Sequence, residues 1–394
     1  CRQISDVKPI MPKAEESTVE FNNIEKQYRA PFVIYADFEA LNEPIDNDTA
    51  SRNPENSYTD AYTKHTPSGY TIHIVCSDKS RTYKPIVYGP TDPDYIGTDT
   101  IPHFIKKIHE LDEMIMEELK EVEPMVMTAQ DELNHASATE CCLCKKPLDD
   151  DTIREHCHLT GKYRGAAHSQ CNLKEGNKRT RRYKIPVFFH NLKGYDSHMI
   201  ITEVGKYTSN LQAIPQNYEK MISFSYGHLR YLDSMAFLSS SLDKLVENLY
   251  EKGKGKDKFV HSKRHCQSAS GDPKPEHLDL MLKNGVYPYD YMDSWEKMDE
   301  TELPPKEAFF SKLKDSGIED DQYAHAQKVW DSFECKTLGD YHDLYMKSDV
   351  LLLADVFESF RDVCMDYYGL DPAHYFTTPN FAWDAMLKKT DVTL

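Results

Sequence analysis

Short apolar runs alternate with polar, turn-rich segments along most of the chain. Residues 32–36 are β-branched and aromatic, which predicts a buried strand that ends at the acidic pair Asp37 and Glu39. Residues 70–75 and 82–88 predict two further strands, which we expect to pair in antiparallel fashion. These runs predict the first strands of a sheet.

Helical and strand patterns alternate in the remainder of the chain. Apolar residues at helical spacing predict a helix over residues 101–123, and strands are predicted over residues 183–189 and 229–233. A helix is expected to begin after the serines at 239–241, which are good N-cap residues, and a long helix is predicted over residues 338–364. This alternation of strands and helices predicts an α/β fold.

Two segments interrupt this pattern. Residues 140–177 are rich in Cys, His, Gly and Lys and lose the apolar periodicity, which indicates a small insert stabilised by something other than a core. Residues 251–275 are rich in Lys and Gly and are expected to be mobile. The predicted division is a tail or linker over 1–30, a main domain over 31–135 and 183–375, an insert over 136–182, and the start of a link to a further domain over 376–394.

Composition and charge narrow the function classes. The 394 residues are 39% hydrophobic, enough for a substantial core in two or three domains, and no apolar run is long enough to span a bilayer. The net charge of −18 argues against a surface coated with positive charge for nucleic acid, although carboxylates that hold cations also contribute to it. Two basic patches are either DNA contacts or solvated loops: Lys174, Lys178, Arg179, Arg181, Arg182 and Lys184, and Lys252, Lys254, Lys256, Lys258, Lys263 and Arg264.

The cysteines point to a metal site rather than to disulfides. Five of the ten lie in one short window, namely Cys141, Cys142, Cys144, Cys157 and Cys171. Such a cluster is typical of metal binding in a reducing compartment. The pairs Cys141-x2-Cys144 and His168-x2-Cys171 have the spacing of a tetrahedral structural zinc site, with Cys142 as an alternative to Cys141.

Carboxylates recur at three places along the chain. The candidates are Asp37 and Glu39 in an Asp-x-Glu pair, Asn191 and Asp196 after a strand, and Tyr345 and Asp349 in the last helix. Alternate residues of a strand face one way, and residues four apart on a helix share a face, so each pair can point into one site. Two Mg²⁺ or Mn²⁺ ions about 4 Å apart can hydrolyse a phosphodiester, and both ions prefer oxygen ligands.

This order of motifs, with His-Asn-Leu-Lys-Gly-Tyr-Asp at 190–196, resembles the three exonuclease motifs of DnaQ-like (ribonuclease H-like) proofreading domains, particularly those of protein-primed family B DNA polymerases. The resemblance spans roughly residues 31–380 outside the insert. It implies a ribonuclease H-like fold in which Mg²⁺ or Mn²⁺ is held by Asp37, Glu39, Asp196 and Asp349. It also implies that Tyr345 orients the attacking water and that His190 and Asn191 hold the 3′ end of single-stranded DNA.

Two shorter matches agree with this family. Ser241 and Leu242 begin a Ser/Thr-Leu-x2-hydrophobic motif, which in the family contacts single-stranded DNA and the terminal protein. Lys283 begins a Lys-x2-hydrophobic motif, which in the family lies near the exonuclease site. Either motif alone could be an ordinary helix cap or a surface lysine. Ala40 departs from the family, which often has a hydroxyl residue there that contacts DNA.

The insert resembles recombination endonuclease VII, a zinc-bound HNH nuclease of the ββα-metal type. The resemblance rests on the acid–His–x–His segment at 155–158 and on Asn172, which follows the last predicted zinc ligand. It implies that His156 is a general base and that His158 is a DNA-binding residue that assists at the catalytic ion. It further implies that Glu155 and Asn172 hold one catalytic ion.

The insert also departs from that family. Glu155 stands where Asp is usual, Cys157 stands where an acidic residue can occur, and His168 belongs to the second zinc pair. A zinc-stabilised, DNA-binding module without catalysis is therefore an open alternative.

Together, the motifs predict the 3′→5′ exonuclease region of a protein-primed family B DNA polymerase, of the kind carried by Polinton-like transposons, viruses and linear plasmids. The intact polymerase would prime from a terminal protein. The chain begins at Cys1 and shows no polymerase palm motif after Trp383, so we expect a fragment without nucleotidyl transfer. The alternatives are an HNH endonuclease or nickase and a non-catalytic zinc-bearing DNA-binding protein. The expected DNA substrate predicts an intracellular location, nuclear in a eukaryotic host.

Overall fold

The computed structural model describes most of the chain. The described residues are 18–45, 63–172, 183–207, 211–217, 220–252, 255–267, 274–283 and 285–394. Outside them lie residues 1–17 of the predicted tail, part of the segment expected to be mobile (253–254 and 268–273), and the first basic patch except Lys184. Lys254 of the second basic patch is also outside the described residues.

A seven-stranded mixed sheet forms the centre of the main domain. Its strands are β1 (Phe32–Pro44), β2 (Thr63–Cys76), β3 (Ile86–Tyr88), β6 (Ile185–Phe189), β7 (Gln212–Pro215), β8 (Met221–Tyr226) and β9 (Leu229–Asp233). A separate hairpin consists of β4 (Thr152–His156) and β5 (Tyr163–His168). The order across the large sheet is β3-β2-β1-β6-β9-β8-β7, with β1, β6 and β9 parallel. The expected antiparallel pairing of the first three strands is confirmed.

Helices cover both faces of the sheet. They are α1 (Thr100–Glu118), α2 (Ala129–Ala136), α3 (Asp196–Tyr207), α4 (Leu242–Lys252), α5 (Val260–His265), α6 (Pro275–Met281), α7 (Asp320–Ser332), α8 (Leu338–Tyr368) and α9 (Thr378–Thr390). Helices α1 and α3 share a core with one face of the sheet, and α8 shares a core with the other. The predicted mixed α/β architecture is confirmed. Within the described residues, no helix is both long and apolar enough to cross a membrane.

Strand β1 shows how the sequence assigns side chains to the two faces. Ile34 and Phe38 pack in the core beneath α1 and α3, whereas Tyr35 packs against α8. Because side chains alternate along a strand, Asp37 and Glu39 continue the face that meets α8. The acidic pair is thereby placed between the sheet and the longest helix.

The predicted end of β1 is wrong. The strand does not stop at Asp37 but continues to Pro44, because β2 pairs with it along its length and places Thr71 opposite Asp37. A register shift follows Glu39, between it and Ala40. The carboxylates are therefore held within a paired strand, a more rigid setting than the strand end that the sequence suggested.

Three other predicted boundaries differ from those in the structure. In each case the apolar pattern in the sequence is longer or shorter than the hydrogen-bonded strand or helix. The strand predicted over 82–88 is limited to its last three residues, and the helix predicted over 101–123 ends at Glu118. The last long helix continues from residue 364 to Tyr368, where Gly369 adopts the left-handed conformation (φ 60°) that commonly ends a helix.

The two terminal segments pack on the main domain. Residues 18–30 were predicted to be a tail, yet the Ala30 backbone N–H donates to the Asp371 carboxylate at 2.7 Å and Ala30 is buried. Residues 376–394, predicted as a link, contain α9, whose Phe381 is buried in the core beneath α8. The contact between Ala30 and Asp371 joins residues 341 positions apart, so local composition does not indicate it.

Part of the segment expected to be mobile is a helix. Asp355, on α8, accepts hydrogen bonds from the backbone N–H groups of His261 and Ser262, at 2.7 and 2.9 Å, at the start of α5. This cap comes from a distant helix, so the Lys- and Gly-rich composition of the segment does not indicate it.

The insert is a hairpin that docks on the main sheet. β4 and β5 pair antiparallel, with a register shift between Glu155 and His156, and residues 169–172 are helical. Leu159 is buried in the core beneath α1, and the Glu123 N–H donates to the carbonyl of His158 at 2.7 Å. The hairpin therefore shares its packing with the main domain.

Candidate active site and metal centre

Four carboxylates from three separate elements meet between the sheet and α8. Asp37 and Glu39 lie on β1, Asp196 is the first residue of α3, and Asp349 lies midway along α8. Glu39 interacts electrostatically with each of the other three. Asp196 is 2% exposed and Glu39 is 9% exposed, whereas Asp37 and Asp349 are half-buried.

Burial and mutual repulsion make it unfavourable for all four carboxyl groups to lose their protons together. Burial raises the pKa of Asp37 to about 7. Burial and then the neighbouring charges of Asp37, Asp349 and Asp196 raise the pKa of Glu39 well above its ordinary value. The pKa values of Asp196 and Asp349 are likewise raised, first by burial and then by Asp37.

No basic side chain in the described part of the chain forms an ion pair with these four carboxylates. The Oδ1 atom of Asp196 is buried and has no hydrogen-bond partner among the described residues. A buried carboxylate oxygen without a partner is unfavourable, and a divalent cation would relieve both that cost and the repulsion. The donor set, oxygen only, suits Mg²⁺ or Mn²⁺.

The carboxylates are not gathered as tightly as ligands of a single ion. Within the described residues, no three of them offer oxygens that all lie within 4.8 Å of one another. Ligands that serve two ions about 4 Å apart spread more widely than ligands of one ion. The arrangement is therefore compatible with a two-ion site.

A tight turn presents Asp196. Asn191 adopts the left-handed conformation (φ 71°), and the Asp233 carboxylate accepts hydrogen bonds from the backbone N–H groups of Asn191 at 3.0 Å and Lys193 at 3.3 Å. A Cβ on Gly194 would lie 2.5 Å from Asn191 Oδ1, so a larger residue there would make the Asn191 side chain move. The sequence analysis did not select Asp233 as a functional residue, although it ends a buried apolar strand. Its side chain is 1% exposed in the structure.

His190 and Asn191 are placed differently from each other. His190 Nδ1 lies 2.8 Å from the Ser234 hydroxyl, and its Nε2 lies 3.0 Å from the Ser240 carbonyl oxygen. Both ring nitrogens of His190 are thus engaged within the protein, and burial lowers its pKa. Asn191 is exposed beside the turn. The predicted contact with a DNA 3′ end stays a prediction for both residues.

Tyr345 points at the carboxylates, as its spacing from Asp349 suggested. Burial and then Asp349 raise the pKa of Tyr345 well above its ordinary value. Its hydroxyl lies 2.9 Å from that of Tyr289, which also interacts with Glu39 and Asp349. Its ring closely approaches Gly285, where a Cβ would lie only 2.7 Å from the ring. Tyr289 was not identified from the sequence, because a lone tyrosine in an irregular segment carries no local signal.

A cleft of about 530 Å³ leads to Tyr345 and Asp349. Ser241, Leu242 and Lys283, predicted to contact DNA, all line it. Ser241 and Lys283 are exposed, and Leu242 begins α4. The two short motifs, 40 residues apart in the sequence, therefore meet on the walls of one cleft.

The predicted zinc ligands come together in the insert. Cys141, Cys144, His168 and Cys171 offer one sulfur or nitrogen each, all within 4.8 Å of one another, and no other such group of Cys, His, Asp or Glu occurs in the described ranges. His168 Nδ1 lies 3.5 Å from Cys144 Sγ and 3.8 Å from Cys171 Sγ. Three thiols and one imidazole suit tetrahedral zinc.

The surroundings of the cluster favour metal binding. The second ring nitrogen of His168 lies 3.0 Å from the Pro147 carbonyl oxygen, a contact that orients Nδ1 towards the thiols. Burial raises the pKa of Cys141, but backbone N–H groups, led by that of Cys144, outweigh burial and bring it down to about 7. Cys142, the alternative ligand, is outside the cluster; it packs against Gly165, and burial raises its pKa to about 12.

The predicted HNH residues are only partly assembled. The rings of His156 and His158 lie 5.0 Å apart, whereas the buried Glu155 carboxylate pairs with Arg164 at 3.4 Å. Asn172 lies in the helical residues 169–172, which adjoin an undescribed stretch. Among the described Cys, His, Asp and Glu side chains, Glu155 and the two histidines do not form a ligand cluster.

Two of the described side chains of the basic patches contact other groups of the protein. Lys184 donates to the Gly227 carbonyl oxygen at 2.6 Å, and Lys256 forms an ion pair with Asp279. Lys258 and Lys263 are exposed around α5. The DNA-contact prediction for both patches stays a prediction.

Comparison with known proteins gives one match. Residues 117–195 match the family model described as recombination endonuclease VII. The matched stretch contains all four predicted zinc ligands, Glu155, His156 and His158, and it ends beside Asp196. No curated protein and no solved structure matches the chain. The chain therefore contains an endonuclease VII-like domain, which indicates a nuclease and DNA binding, and no comparison supports the expected polymerase assignment.

Proposed function

We propose that this protein is a divalent-cation-dependent nuclease that removes nucleotides from the 3′ end of single-stranded DNA. The observation that carries the proposal is the buried pocket in which Asp37, Glu39, Asp196 and Asp349 converge without a basic partner in the described structure. Structural carboxylates at such burial are normally paired with a cation. Because the four carboxylates repel one another, the binding of cations between them is favourable.

The chain's own residues have distinct tasks in this proposal. Asp37 and Glu39 hold ions on the rigid strand β1, Asp196 adds its unpartnered Oδ1, and Asp349 closes the site from α8. Bound Mg²⁺ or Mn²⁺ supplies an activated water and stabilises the leaving oxygen. The Tyr345 hydroxyl, held by Tyr289, orients the attacking water.

The cleft supplies the approach for the strand. A single strand entering along Ser241, Leu242 and Lys283 reaches Tyr345 and Asp349 at the inner end. Lys283 offers a positive charge to the phosphate backbone, and Leu242 offers apolar surface to a base.

We also propose the finer assignment, a ribonuclease H-like exonuclease domain from a protein-primed family B DNA polymerase. The order of the three carboxylate motifs and the sequence at 190–196 support it. The mixed sheet with parallel β1, β6 and β9 supports the fold. Terminal-protein priming and an intracellular or nuclear location follow only from that resemblance.

The endonuclease VII-like domain supports a second candidate function, internal cleavage or nicking of DNA. The match over residues 117–195 and the adjacent His156 and His158 favour it. In this candidate His156 is the general base and the zinc cluster holds the hairpin in shape. The engagement of Glu155 by Arg164 favours instead the third candidate, a zinc-bearing DNA-binding module without catalysis.

One pair of variants separates the first two functions. Asp37→Ala with Glu39→Ala should reduce mononucleotide release from a 3′-labelled single strand by about 10³-fold, because several kcal/mol of ion-mediated stabilisation are lost. It should leave any nicking of covalently closed circular DNA unchanged. His156→Ala should have the converse effects.

The exonuclease proposal would be wrong if His156→Ala lost 3′ nucleotide release by about 10³-fold while the Asp37/Glu39 double variant kept the full wild-type rate. Absence of Mg²⁺- or Mn²⁺-dependent degradation of either substrate would favour the non-catalytic alternative. Asp362→Ala provides a matched control, because this half-exposed carboxylate on α8 pairs with Arg29 rather than with the pocket.

A further inference from the structure

Buried polar atoms without partners concentrate at the interface between β2 and α5. The structure has few such side-chain atoms among its described residues, and four of them belong to these two elements: Thr71 Oγ1, His73 Nδ1, Ser262 Oγ and His265 Nε2. Buried polar groups in folded proteins normally have a partner, and a group of exceptions indicates a missing water or ion. This interface lies away from the zinc cluster, on the face of the sheet covered by α8.

Three histidines line the interface. His261 and His265 lie four residues apart on α5, so they share one face of the helix. His73 extends from β2 and is 1% exposed. Its ring lies 5.0 Å from that of His261 and 5.3 Å from that of His265. Two histidines one helical turn apart, facing a third on another element, form a common arrangement of metal ligands.

Two nitrogens of the cluster share a hydrogen bond that a bound ion would replace. His73 Nε2 lies 3.0 Å from His261 Nδ1. Two nitrogens bound to one tetrahedral zinc at about 2.0–2.1 Å are roughly 3.3 Å apart, so a small separation of these two rings would admit an ion. The three side chains do not yet bring one nitrogen each within 4.8 Å, so His265 must rotate to complete the set.

Charged groups on every neighbouring element bear on the cluster. Lys347 on α8, Arg264 on α5 and Lys84 all act on His265, while Glu358 on α8 acts on His261 with the opposite sign. Burial, followed by Lys347, lowers the pKa of His265 to about 4. Burial also lowers the pKa values of His73 and His261, so all three rings are neutral near pH 7. Neutral imidazole is the form that binds transition metals.

We propose that His73, His261 and His265 form a second metal site, for a divalent transition-metal ion such as Zn²⁺. Three imidazoles suit zinc, copper, nickel or cobalt and do not suit Mg²⁺ or Ca²⁺, which prefer oxygen. The ion bridges α5 and the sheet. Because α5 lies in the chain between α4 and α6, whose residues line the cleft, the ion fixes a wall of the proposed substrate path.

Metal counting tests this proposal independently of nuclease activity. The full chain is purified with zinc, washed in excess Mg²⁺ to clear zinc from carboxylate sites, and assayed for bound zinc per chain. We expect two zinc ions in the wild type and one in His261→Gln with His265→Gln. His109→Gln on α1, beneath the opposite face of the sheet, is the matched control and should retain two.

X-ray absorption at the zinc edge provides the second measurement. The wild type should show more nitrogen neighbours per zinc than the three-sulfur, one-nitrogen set of the cysteine cluster, and the double variant should return to that set. One zinc per wild-type chain, or an unchanged count in a folded double variant, would show that the interface holds ordered water only. If the double variant does not fold, a wild-type spectrum without additional nitrogen neighbours overturns the proposal.

Discussion

The carboxylate pocket and the cysteine cluster are held in place in different ways. The pocket is built by a large core: β1, α3 and α8 are in place because of apolar packing, and the four acids are carried on them. The cysteine cluster sits in a small insert whose fully buried core is Cys141, Leu143 and Ala167, with partly buried residues such as Ile24 and Tyr28 packed against it. We therefore expect the pocket to form before its proposed ions bind, and the insert to depend more strongly on its proposed zinc ion.

The ligand geometry shows the same difference. Four soft or borderline ligands in the cluster already lie within 4.8 Å, and the His168 ring is oriented by Pro147. The carboxylates are more widely spaced and keep raised pKa values, as expected of a site that exchanges hard ions during a reaction. On the proposed function, the cysteine cluster would hold a structural ion and the carboxylate pocket would hold exchangeable ions.

The largest expected effect is on the hairpin. Cys144→Ser should abolish zinc binding and unfold residues of the insert, because structural zinc contributes on the order of 10 kcal/mol in small domains. Limited proteolysis should then cut within the insert while the main domain stays protected. Cys142→Ala, outside the cluster, is the matched control and should keep both zinc and protection. Equal protease sensitivity of the two variants would contradict the comparison.

A smaller effect is expected in the pocket from Tyr345→Phe. Loss of the hydroxyl should lower the rate of 3′ nucleotide release by about 10²-fold through misplacement of the attacking water, with little change in KM or in melting temperature. Tyr367→Phe, an exposed residue of the same helix, should be silent. A change confined to KM would argue that Tyr345 binds the strand instead.

The smallest effect is a pH dependence that ions remove. Asp37 has a folded-state pKa of about 7 against an ordinary value of 3.8, so the folded protein binds more protons between these values. Stability without Mg²⁺ should therefore fall as pH rises from about 4 to 7, by about 1–3 kcal/mol, and Mg²⁺ should remove most of that slope. Melting temperatures with and without Mg²⁺ measure this effect.

Asp37→Asn is the control for that titration. The variant should show a shallower slope without Mg²⁺ and a smaller response to Mg²⁺ than the wild type. If stability depended on pH to the same extent in both proteins, the titration of Asp37 would not be the cause of the pH dependence.

Local patterns predicted those parts of the molecule that depend on neighbours in sequence. The strand over residues 229–233 and the start of α8 at Leu338 agree with the structure, because apolar periodicity and a Thr337 cap are local signals. The zinc ligands were likewise found from their spacing. Long-range pairing was not predictable: the continuation of β1 past Asp37 depends on β2, and the docking of residues 18–30 depends on Asp371.

The site shows the same division. Asp37, Glu39, Asp196 and Asp349 could be selected because each lies in a recognisable motif on a regular element. Asp233 and Tyr289 act through tertiary contacts, with the turn at Asn191 and the hydroxyl of Tyr345 respectively, so only the assembled structure identifies them.

The central claim is that the carboxylate pocket cleaves DNA from the 3′ end, and one product analysis tests it most directly. A 5′-labelled single strand and a closed circular single strand are incubated with Mg²⁺ and either the wild type or Asp196→Asn, which alters the residue with the unpartnered Oδ1. The account predicts stepwise shortening of the linear strand by the wild type alone. Shortening of equal rate by Asp196→Asn, or a linear strand left intact by the wild type in Mg²⁺ and in Mn²⁺, would contradict it.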